Sequence, residues 1–243
     1  MAQGDNIIDL ELYLIRHGQT WGNVGKTPAH ETELDRKDVD LTPDGYRMAA
    51  LLGERFETYP FDAVYASCLR RAVLTANAIV TRQPADGAKS VLLHPILTEC
   101  GAGDDFEGLT LDEIRQFAPA AEPADGVDLS GPRVYPTKGW DDLRQLARAQ
   151  ETLAYLRARH HGGQKIAVVA HAAFNTFLFH AALGLDPTKV TFDPHFINTG
   201  VTKIVFFEPG TGRYGLDTLL IYSNDLSHLQ RDYPELALYP TYI

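Results

Sequence analysis

Two histidines, two arginines and one glutamate follow short apolar segments of the chain, and these residue types together can transfer a phosphoryl group. Arg16 and His17 end one apolar run, while Arg71, Glu99 and His171 each follow another. The planar guanidinium of arginine binds phosphate oxygens in pairs and stays charged. A neutral imidazole can act as the nucleophile, and a carboxylic acid can protonate a leaving oxygen. The set therefore indicates phosphoryl transfer.

The elements that must position these residues alternate between strand-like and helix-like patterns. Strands are predicted over 10–16, 62–67, 91–94, 165–170, 202–208 and 216–222, with helices over about 43–58, 69–81, from 110, 141–160 and 172–183. This alternation predicts a three-layer α/β fold with a mostly parallel central sheet and helices on both faces. Ligands bind outside the carboxyl ends of the strands in such sheets, so the five side chains should meet at one edge.

Local signals support several of the predicted boundaries. Thr42 is a suitable N-cap with Pro43 at the first helical position, and Thr110 opens another helix with acids in its first turn. The glycine-rich segment 209–212 is expected to be a hairpin turn between the last two strands. Arg70 is expected to face solvent.

The chain length of 243 residues suits one α/β domain. We predict a single domain over 1–243 with an irregular cap insertion at about 100–140. Within the insertion, residues 119–139 contain four prolines and three glycines, and loops of this length in compact domains are usually functional. This stretch is expected to cover the site.

The charge balance excludes several partner classes. The chain has 22 Lys+Arg against 32 Asp+Glu, a formal net charge of −10, whereas nucleic acids and anionic membranes attract basic surfaces. No apolar window approaches the ~20 residues of a membrane span. Two cysteines cannot form a disulfide framework, and residues 1–6 lack the basic start of a secretory signal. A cytoplasmic location without a nucleic-acid or membrane partner is expected.

The ordered motifs of the chain resemble those of the histidine phosphatase superfamily, which includes phosphoglycerate mutase-like enzymes. The pattern R-H-G-x-[ST]-x-x-N is matched by Arg16, His17, Gly18, Thr20 and Asn23. The pattern S-x-L-x-R-A-x-x-T-A is matched by Ser67, Leu69, Arg71, Ala72, Thr75 and Ala76. A third motif is matched by Leu97, Glu99, Gly103, Glu107, Gly108, Leu109 and Thr110, and the second histidine is His171. A last asparagine turn is matched by residues 198–202, so the resemblance extends over most of the chain.

The resemblance implies a role for each matched residue. His17 would attack phosphorus and become phosphohistidine, and Glu99 would protonate the leaving oxygen and then help to activate water. The phosphoryl group would be held by Arg16, Asn23, Arg71, His171 and the backbone amide of Ala172. The implied scheme needs no metal ion or other cofactor, because positioning and positive charge stabilise the transition state.

Two alternatives to a phosphatase stay open at this stage. A cofactor-dependent phosphoglycerate mutase carries an Arg-His-Tyr-Gly run after its catalytic acid, where this chain has Cys-Gly-Ala-Gly at 100–103. The segment 99–128 also holds nine acids and one base, a charge that should repel a doubly anionic sugar acid. A non-catalytic module that binds a phosphorylated ligand on the same fold need not keep both His17 and Glu99. A phosphatase is therefore favoured.

The same charge distribution suggests a substrate class. The expected partner is a small phosphorylated substrate, with a phosphoprotein as the alternative. Since the predicted pocket is cationic and the neighbouring segment is acidic, we expect a monophosphate whose remainder is neutral or positive.

Overall fold

The computed structural model describes residues 6–29, 31–101, 107–135 and 141–235, and over these ranges it contains one seven-stranded sheet. The strands are β1 (Ile8–Arg16), β2 (Ala63–Ala66), β3 (Val91–Leu93), β4 (Ala121–Pro123), β5 (Gln164–Ala170), β6 (Val201–Phe207) and β7 (Thr218–Asp225). Their order is β4-β3-β2-β5-β1-β6-β7. The first five run parallel, and β6 and β7 pair antiparallel. The predicted mostly parallel sheet is confirmed.

Helices cover both faces of this sheet. The described α-helices are α1 (Glu33–Lys37), α2 (Pro43–Arg55), α3 (Arg70–Val80), α4 (Leu111–Arg115), α5 (Asp142–Arg159) and α6 (Ala172–Ala182). Alternate residues of β1 point to opposite faces, as the period of a strand requires. Tyr13 and Ile15 pack with α2 and α3, whereas Leu12 and Leu14 pack with α5 and α6. The predicted three-layer α/β fold is confirmed.

The predicted helix starts depend on side-chain caps. The Thr42 hydroxyl accepts the Gly45 N–H with Pro43 at the first position of α2. Thr110 and Glu113 form a reciprocal capping box at the start of α4. Both caps satisfy backbone amides that a helix leaves without partners.

One prediction for an edge of the sheet is wrong, and another is confirmed with a longer connection. The stretch 119–139 is not irregular throughout, because Ala121–Pro123 forms β4 and pairs with β3. Three residues ending in proline give almost no strand signal, and proline is tolerated at a sheet edge. The predicted hairpin between the last two strands is confirmed by the antiparallel pairing of β6 and β7, but its connection is longer than the turn at 209–212. This connection spans residues 208–217 and includes the short 3-10 helix Arg213–Gly215.

The described part of the predicted cap insertion contains α4 and β4. Residues 102–106 and 136–140 lie outside the described residues, and with them lie Gly103 of the third motif and the end of the stretch 119–139. The single domain over 1–243 and the insertion at about 100–140 stay predictions. Among the described helices, none combines the length and the apolarity needed to cross a membrane.

Candidate active site

The carboxyl ends of three adjacent strands bring both predicted histidines to one edge of the sheet. Arg16 of β1 is paired with Ala170 of β5, so His17 and His171 follow directly at neighbouring positions. The His17 backbone N–H donates to the Ala170 carbonyl at 3.0 Å. The centroids of the two imidazole rings lie 5.1 Å apart. Arg71 enters the same edge from the first turn of α3, which follows β2.

The hydrogen bonds of His17 determine which ring nitrogen can react. Its Nδ1 lies 2.7 Å from the Gly18 carbonyl oxygen, which can only accept, so Nδ1 carries the proton. Its Nε2 then holds a lone pair and accepts a hydrogen bond from Arg71 Nε at 3.3 Å. Burial, followed by the positive charges of Arg71 and Arg16, keeps the pKa of His17 well below its usual value of 6.5. His17 is therefore a neutral imidazole at neutral pH with Nε2 available as a nucleophile.

Gly18 and Thr75 connect the first two sequence motifs. A Cβ atom at Gly18 would lie 2.7 Å from the Gly45 carbonyl oxygen, so the close packing of α2 on this turn requires glycine. The Gly18 N–H donates to Thr75 Oγ1 at 2.9 Å, and that hydroxyl donates to the Arg71 carbonyl at 2.8 Å. The turn that carries His17 and the helix that carries Arg71 are thus fixed to each other.

His171 is a fully buried imidazole at the N-cap position of α6. Neither of its ring nitrogens has a hydrogen-bond partner among the described residues. Burial first, then the nearby charge of Arg71, holds the pKa of His171 well below 6.5. Ala172 begins α6 immediately after it, and helix N-termini favour anions because their amides point outward. A neutral imidazole and a helix start therefore face the same space as His17.

Glu99 lies across the first turn of α6. Its Oε1 accepts the Phe174 N–H at 3.1 Å and the Cys100 N–H at 2.8 Å, and its Oε2 lies 3.4 Å from the Ala173 nitrogen. These bonds hold the half-buried carboxyl group against the second and third residues of α6. Glu99 is thus fixed by the backbone at the site edge instead of being a solvated loop acid.

Arg16 and Asn23 are held by the turn before β6. Arg16 donates from its guanidinium to the Phe196 carbonyl at 2.8 Å. The Asn198 amide donates to the His17 carbonyl at 2.9 Å and to Asn23 Oδ1 at 3.2 Å. The amide oxygen of Asn23 is therefore an acceptor, and its amide nitrogen is the donor group of this side chain. The structure thus brings every residue of the predicted site to one edge of the sheet.

Comparison with known proteins identifies the family. The model of the histidine phosphatase superfamily (branch 1) matches residues 12–214. The chain belongs to the histidine phosphatase superfamily. The predicted family and its phosphoglycerate mutase-like fold are confirmed.

Individual relatives of the phosphatase carry phosphatase names. It is 26% identical over 224 residues to putative phosphoserine phosphatase 2 of Hydrogenobacter thermophilus. This match covers 90% of this chain and 98% of that protein. It is 30% identical over 115 residues to fructose-2,6-bisphosphatase TIGAR B of Danio rerio, but the match covers 47% of this chain and 43% of that protein. The crystal structure of a mutant phosphoserine phosphatase from Entamoeba histolytica in complex with phosphoserine is 26% identical, with a TM-score of 0.56 and coverage of 90% and 99%. The prediction of a phosphoric monoester hydrolase is confirmed at this level of class.

Asp38 is a residue of the phosphatase site that sequence reasoning missed. Its buried carboxylate lies 3.6 Å from Nη1 of Arg71 and accepts the Arg70 backbone N–H at 2.6 Å. Burial raises the pKa of Asp38 to about 6, although the positive charge of Arg71 acts in the opposite direction. Asp38 therefore orients Arg71 toward His17 from behind. Its sequence context, a run rich in acidic and basic residues, is typical of a solvated surface.

The prediction that Arg70 faces solvent is wrong. Its side chain is 11% exposed, and its guanidinium contacts Asp35 at 2.6 Å and Asp40 at 2.8 Å. These ion pairs attach the segment around α1 to the start of α3. Because Asp38 lies between the two acids, Arg70 fixes the segment that positions Asp38.

Arg148 on α5 was also missed. Its side chain is almost fully buried, and its guanidinium carbon lies 4.0 Å from the Phe174 ring centroid and 5.0 Å from that of Tyr135. Its Nη2 donates to Cys100 Sγ at 3.4 Å, while Nε and Nη1 lack hydrogen-bond partners within the described ranges. Arginine on an amphipathic helix usually faces solvent, so its sequence position gave no signal.

The acidic segment 99–128 does not act as one charged surface. Glu113 forms an ion pair with Lys37 at 2.6 Å, and Asp125 forms one with Arg159 at 3.1 Å. Their charges are offset locally, so these two acids cannot carry the electrostatic argument against a doubly anionic substrate. In the part of the chain that the structure covers, no three His, Cys, Asp or Glu residues are grouped closely enough to hold a metal ion.

Proposed function

We propose that the phosphatase hydrolyses a small phosphomonoester in two steps through a phosphohistidine at Nε2 of His17. The observation that supports this most directly is the His17 geometry. Nδ1 donates to the Gly18 carbonyl, and Nε2 accepts from Arg71 Nε at 3.3 Å. The reactive lone pair thus points at the cation that would bind the phosphoryl oxygens.

In the first proposed step, His17 Nε2 attacks phosphorus and the bond from phosphorus to the leaving oxygen breaks. Glu99 donates its proton to that oxygen, so the remainder leaves as a neutral alcohol. The negative charge on the phosphoryl oxygens is stabilised by Arg16, Asn23, Arg71, His171 and the Ala172 amide. In this proposal, protein groups supply the charge stabilisation without a metal ion or other cofactor.

In the second proposed step, water attacks the phosphohistidine. Glu99, now a carboxylate, accepts a proton from the water, and the bond between phosphorus and Nε2 breaks. His17 returns to its neutral form and inorganic phosphate leaves. Glu99 ends the cycle protonated, as it began.

The proposal is tested by phosphate release from p-nitrophenyl phosphate and by acid–base stability of the trapped intermediate. The wild type should hydrolyse the ester, and after rapid quenching with ³²P-labelled substrate it should carry label that acid removes and alkali does not. His17→Ala should lose both. His161→Ala removes an exposed histidine at the end of α5 and serves as the control. An inactive wild type, or full activity in His17→Ala, would contradict the proposal.

We also propose that the phosphatase works in the cytoplasm. Its two cysteines, Cys68 and Cys100, are buried and unpaired, the state that thiols keep in a reducing compartment. Cell fractionation followed by detection of the protein tests this location, and recovery in an oxidising compartment would overturn it.

A further inference from the structure

A cavity of about 240 Å³ opens beside the first turns of α6, next to the proposed catalytic acid. It is lined by Asp142, Ala173, Thr176, Phe177, Val190 and Asp193. A water molecule occupies roughly 30 Å³ in the liquid, so the cavity has room for a group of several heavy atoms. None of its lining residues has a role in the two proposed chemical steps.

Ala173 connects this cavity to Glu99. It lines the cavity, and its backbone nitrogen lies 3.4 Å from Glu99 Oε2. Glu99 must contact the leaving oxygen in order to protonate it, so the remainder of the substrate extends from the oxygen beside Glu99. The cavity adjoining Ala173 is in the right place to receive that remainder.

The lining of the cavity sets its chemical preference. Among the described lining residues, Ala173, Phe177 and Val190 are apolar, and Asp142 and Asp193 carry carboxylates. We propose that this cavity binds the leaving group and selects monoesters whose remainder is a short hydrocarbon with a neutral or cationic end. A remainder with a second anionic group is disfavoured because the two carboxylates repel it. This inference rests on the proposed function.

Asp193 is held in place at the cavity. Its Oδ1 accepts the His195 N–H at 2.8 Å and lies 3.3 Å from the hydroxyl of Thr176. Thr176 is itself buried on α6. An asparagine at 193 can keep the same oxygen acceptor, so Asp193→Asn removes the charge and preserves these bonds.

The test compares three monoesters that share a three-carbon chain: 3-aminopropyl phosphate, propyl phosphate and 3-(phosphonooxy)propanoate. In the wild type, kcat/KM should be highest for the ammonium ester and about tenfold lower for the carboxylate ester, with propyl phosphate between them. Raising the salt concentration should narrow this gap, because screening weakens interactions of partly exposed charges. A preference caused by shape alone would not respond to salt.

The double variant Asp142→Asn/Asp193→Asn should reduce the gap to about threefold or less. Asp186→Asn is the matched control, since Asp186 bonds to Thr188 in the same connecting segment but does not line the cavity. It should keep the wild-type gap. Hydrolysis of all three esters at equal efficiency, a preference for the carboxylate ester, or an unchanged gap in the double variant would overturn this inference alone. No hydrolysis of any ester or of p-nitrophenyl phosphate by the wild type would instead contradict the proposed function.

Discussion

Arg71 donates from Nε to Nε2 of His17 across 3.3 Å. Nη1 of the same guanidinium lies 3.6 Å from the buried carboxylate of Asp38. The guanidinium of Arg71 therefore contacts the carboxylate of Asp38 through one nitrogen and Nε2 of His17 through another. This arrangement prepares Arg71 to bind phosphoryl oxygens without a large rearrangement, which is how fixed donors stabilise a transition state.

We expect Arg71→Lys to lower kcat by about a hundredfold, because lysine keeps the charge but loses the planar fork. Steady-state hydrolysis of p-nitrophenyl phosphate measures the effect. Arg70→Lys is the control, since Arg70 pairs with Asp35 and Asp40 and does not contact His17. It should lower the unfolding midpoint while kcat stays within about threefold of the wild type. Equal losses of kcat in the two variants would contradict a specific role for Arg71.

We expect Asp38→Asn to reduce kcat/KM by about tenfold at pH 7, because Arg71 loses the anion that orients it. The wild type should lose activity as the pH falls through about 6, where Asp38 becomes protonated. His17 cannot cause this loss, since its pKa lies well below 6.5. The variant should lack this acidic limb, which a merely structural role would not remove. Asp40→Asn removes a carboxylate that pairs with Arg70, and this control variant should keep the acidic limb.

Asp38 also predicts a pH-dependent difference in stability. Its pKa is about 6 in the folded protein and 3.8 in the unfolded chain, so the folded state binds the proton more tightly between these values. This contribution to stability is largest below pH 4 and is lost as the pH rises toward 6. The free energy of unfolding of Asp38→Asn, measured relative to the wild type, should therefore increase from pH 4 to 7 by as much as about 3 kcal/mol. Urea denaturation at several pH values measures it, and a constant difference would contradict the raised pKa.

The residues proposed to act directly at the site could be predicted from the sequence because they follow the carboxyl ends of short apolar strands, directly or within a few residues. His17 and His171 follow β1 and β5, which are adjacent in the sheet, so the parallel topology alone brings them together. The period of the strands and the caps at Thr42 and Thr110 likewise depend on neighbouring residues, and sequence patterns show them directly.

The supporting residues could not be predicted because their roles depend on contacts between distant parts of the chain. Asp38 acts on Arg71, and Arg148 contacts Cys100 across 48 positions. Both lie in segments whose charge pattern suggests exposure. The edge strand β4 escaped prediction for a different reason, since it has three residues and ends in proline.

Glu99→Gln should separate the two chemical steps by leaving group. Glutamine can keep the bonds from the amides of Cys100 and Phe174, so the local fold should persist. Propyl phosphate needs a proton on its leaving oxygen, so its hydrolysis should fall by about a hundredfold or more. The phenolate of p-nitrophenyl phosphate leaves without a proton, so rapid mixing with this ester should show a burst of about one equivalent of phenolate. Slow turnover should follow the burst, because water activation is impaired. Glu151→Gln, an exposed acid on α5, should behave as the wild type. Slow phenolate release without a burst would contradict the assigned roles.

Arg148 places a buried positive charge under the site. Burial and Arg71 lower the pKa of His171, and the charge of Arg148 adds to this effect. Since its guanidinium stacks on Phe174 and has unpartnered nitrogens among the described residues, packing alone does not account for a charged side chain there. Within the described ranges Arg148 forms no ion pair, although the charge of Glu99 favours its protonated form. A buried cation in such a place is unfavourable for folding, which points to a role in activity.

We expect Arg148→Met to lower kcat/KM by about tenfold without lowering the free energy of unfolding. Methionine fills the apolar space beside Phe174 and removes the desolvation penalty, whereas the positive potential at the phosphoryl group is lost. Arg148→Lys should recover part of the activity because it restores the charge. Arg157→Met removes a half-exposed arginine of the same helix that pairs with Asp9, and it should leave kcat/KM within about twofold. Phosphate release and urea denaturation measured on the same preparations give both quantities. Full activity in Arg148→Met, or equal losses of activity in the Met and Lys variants, would show that the charge of Arg148 does not contribute.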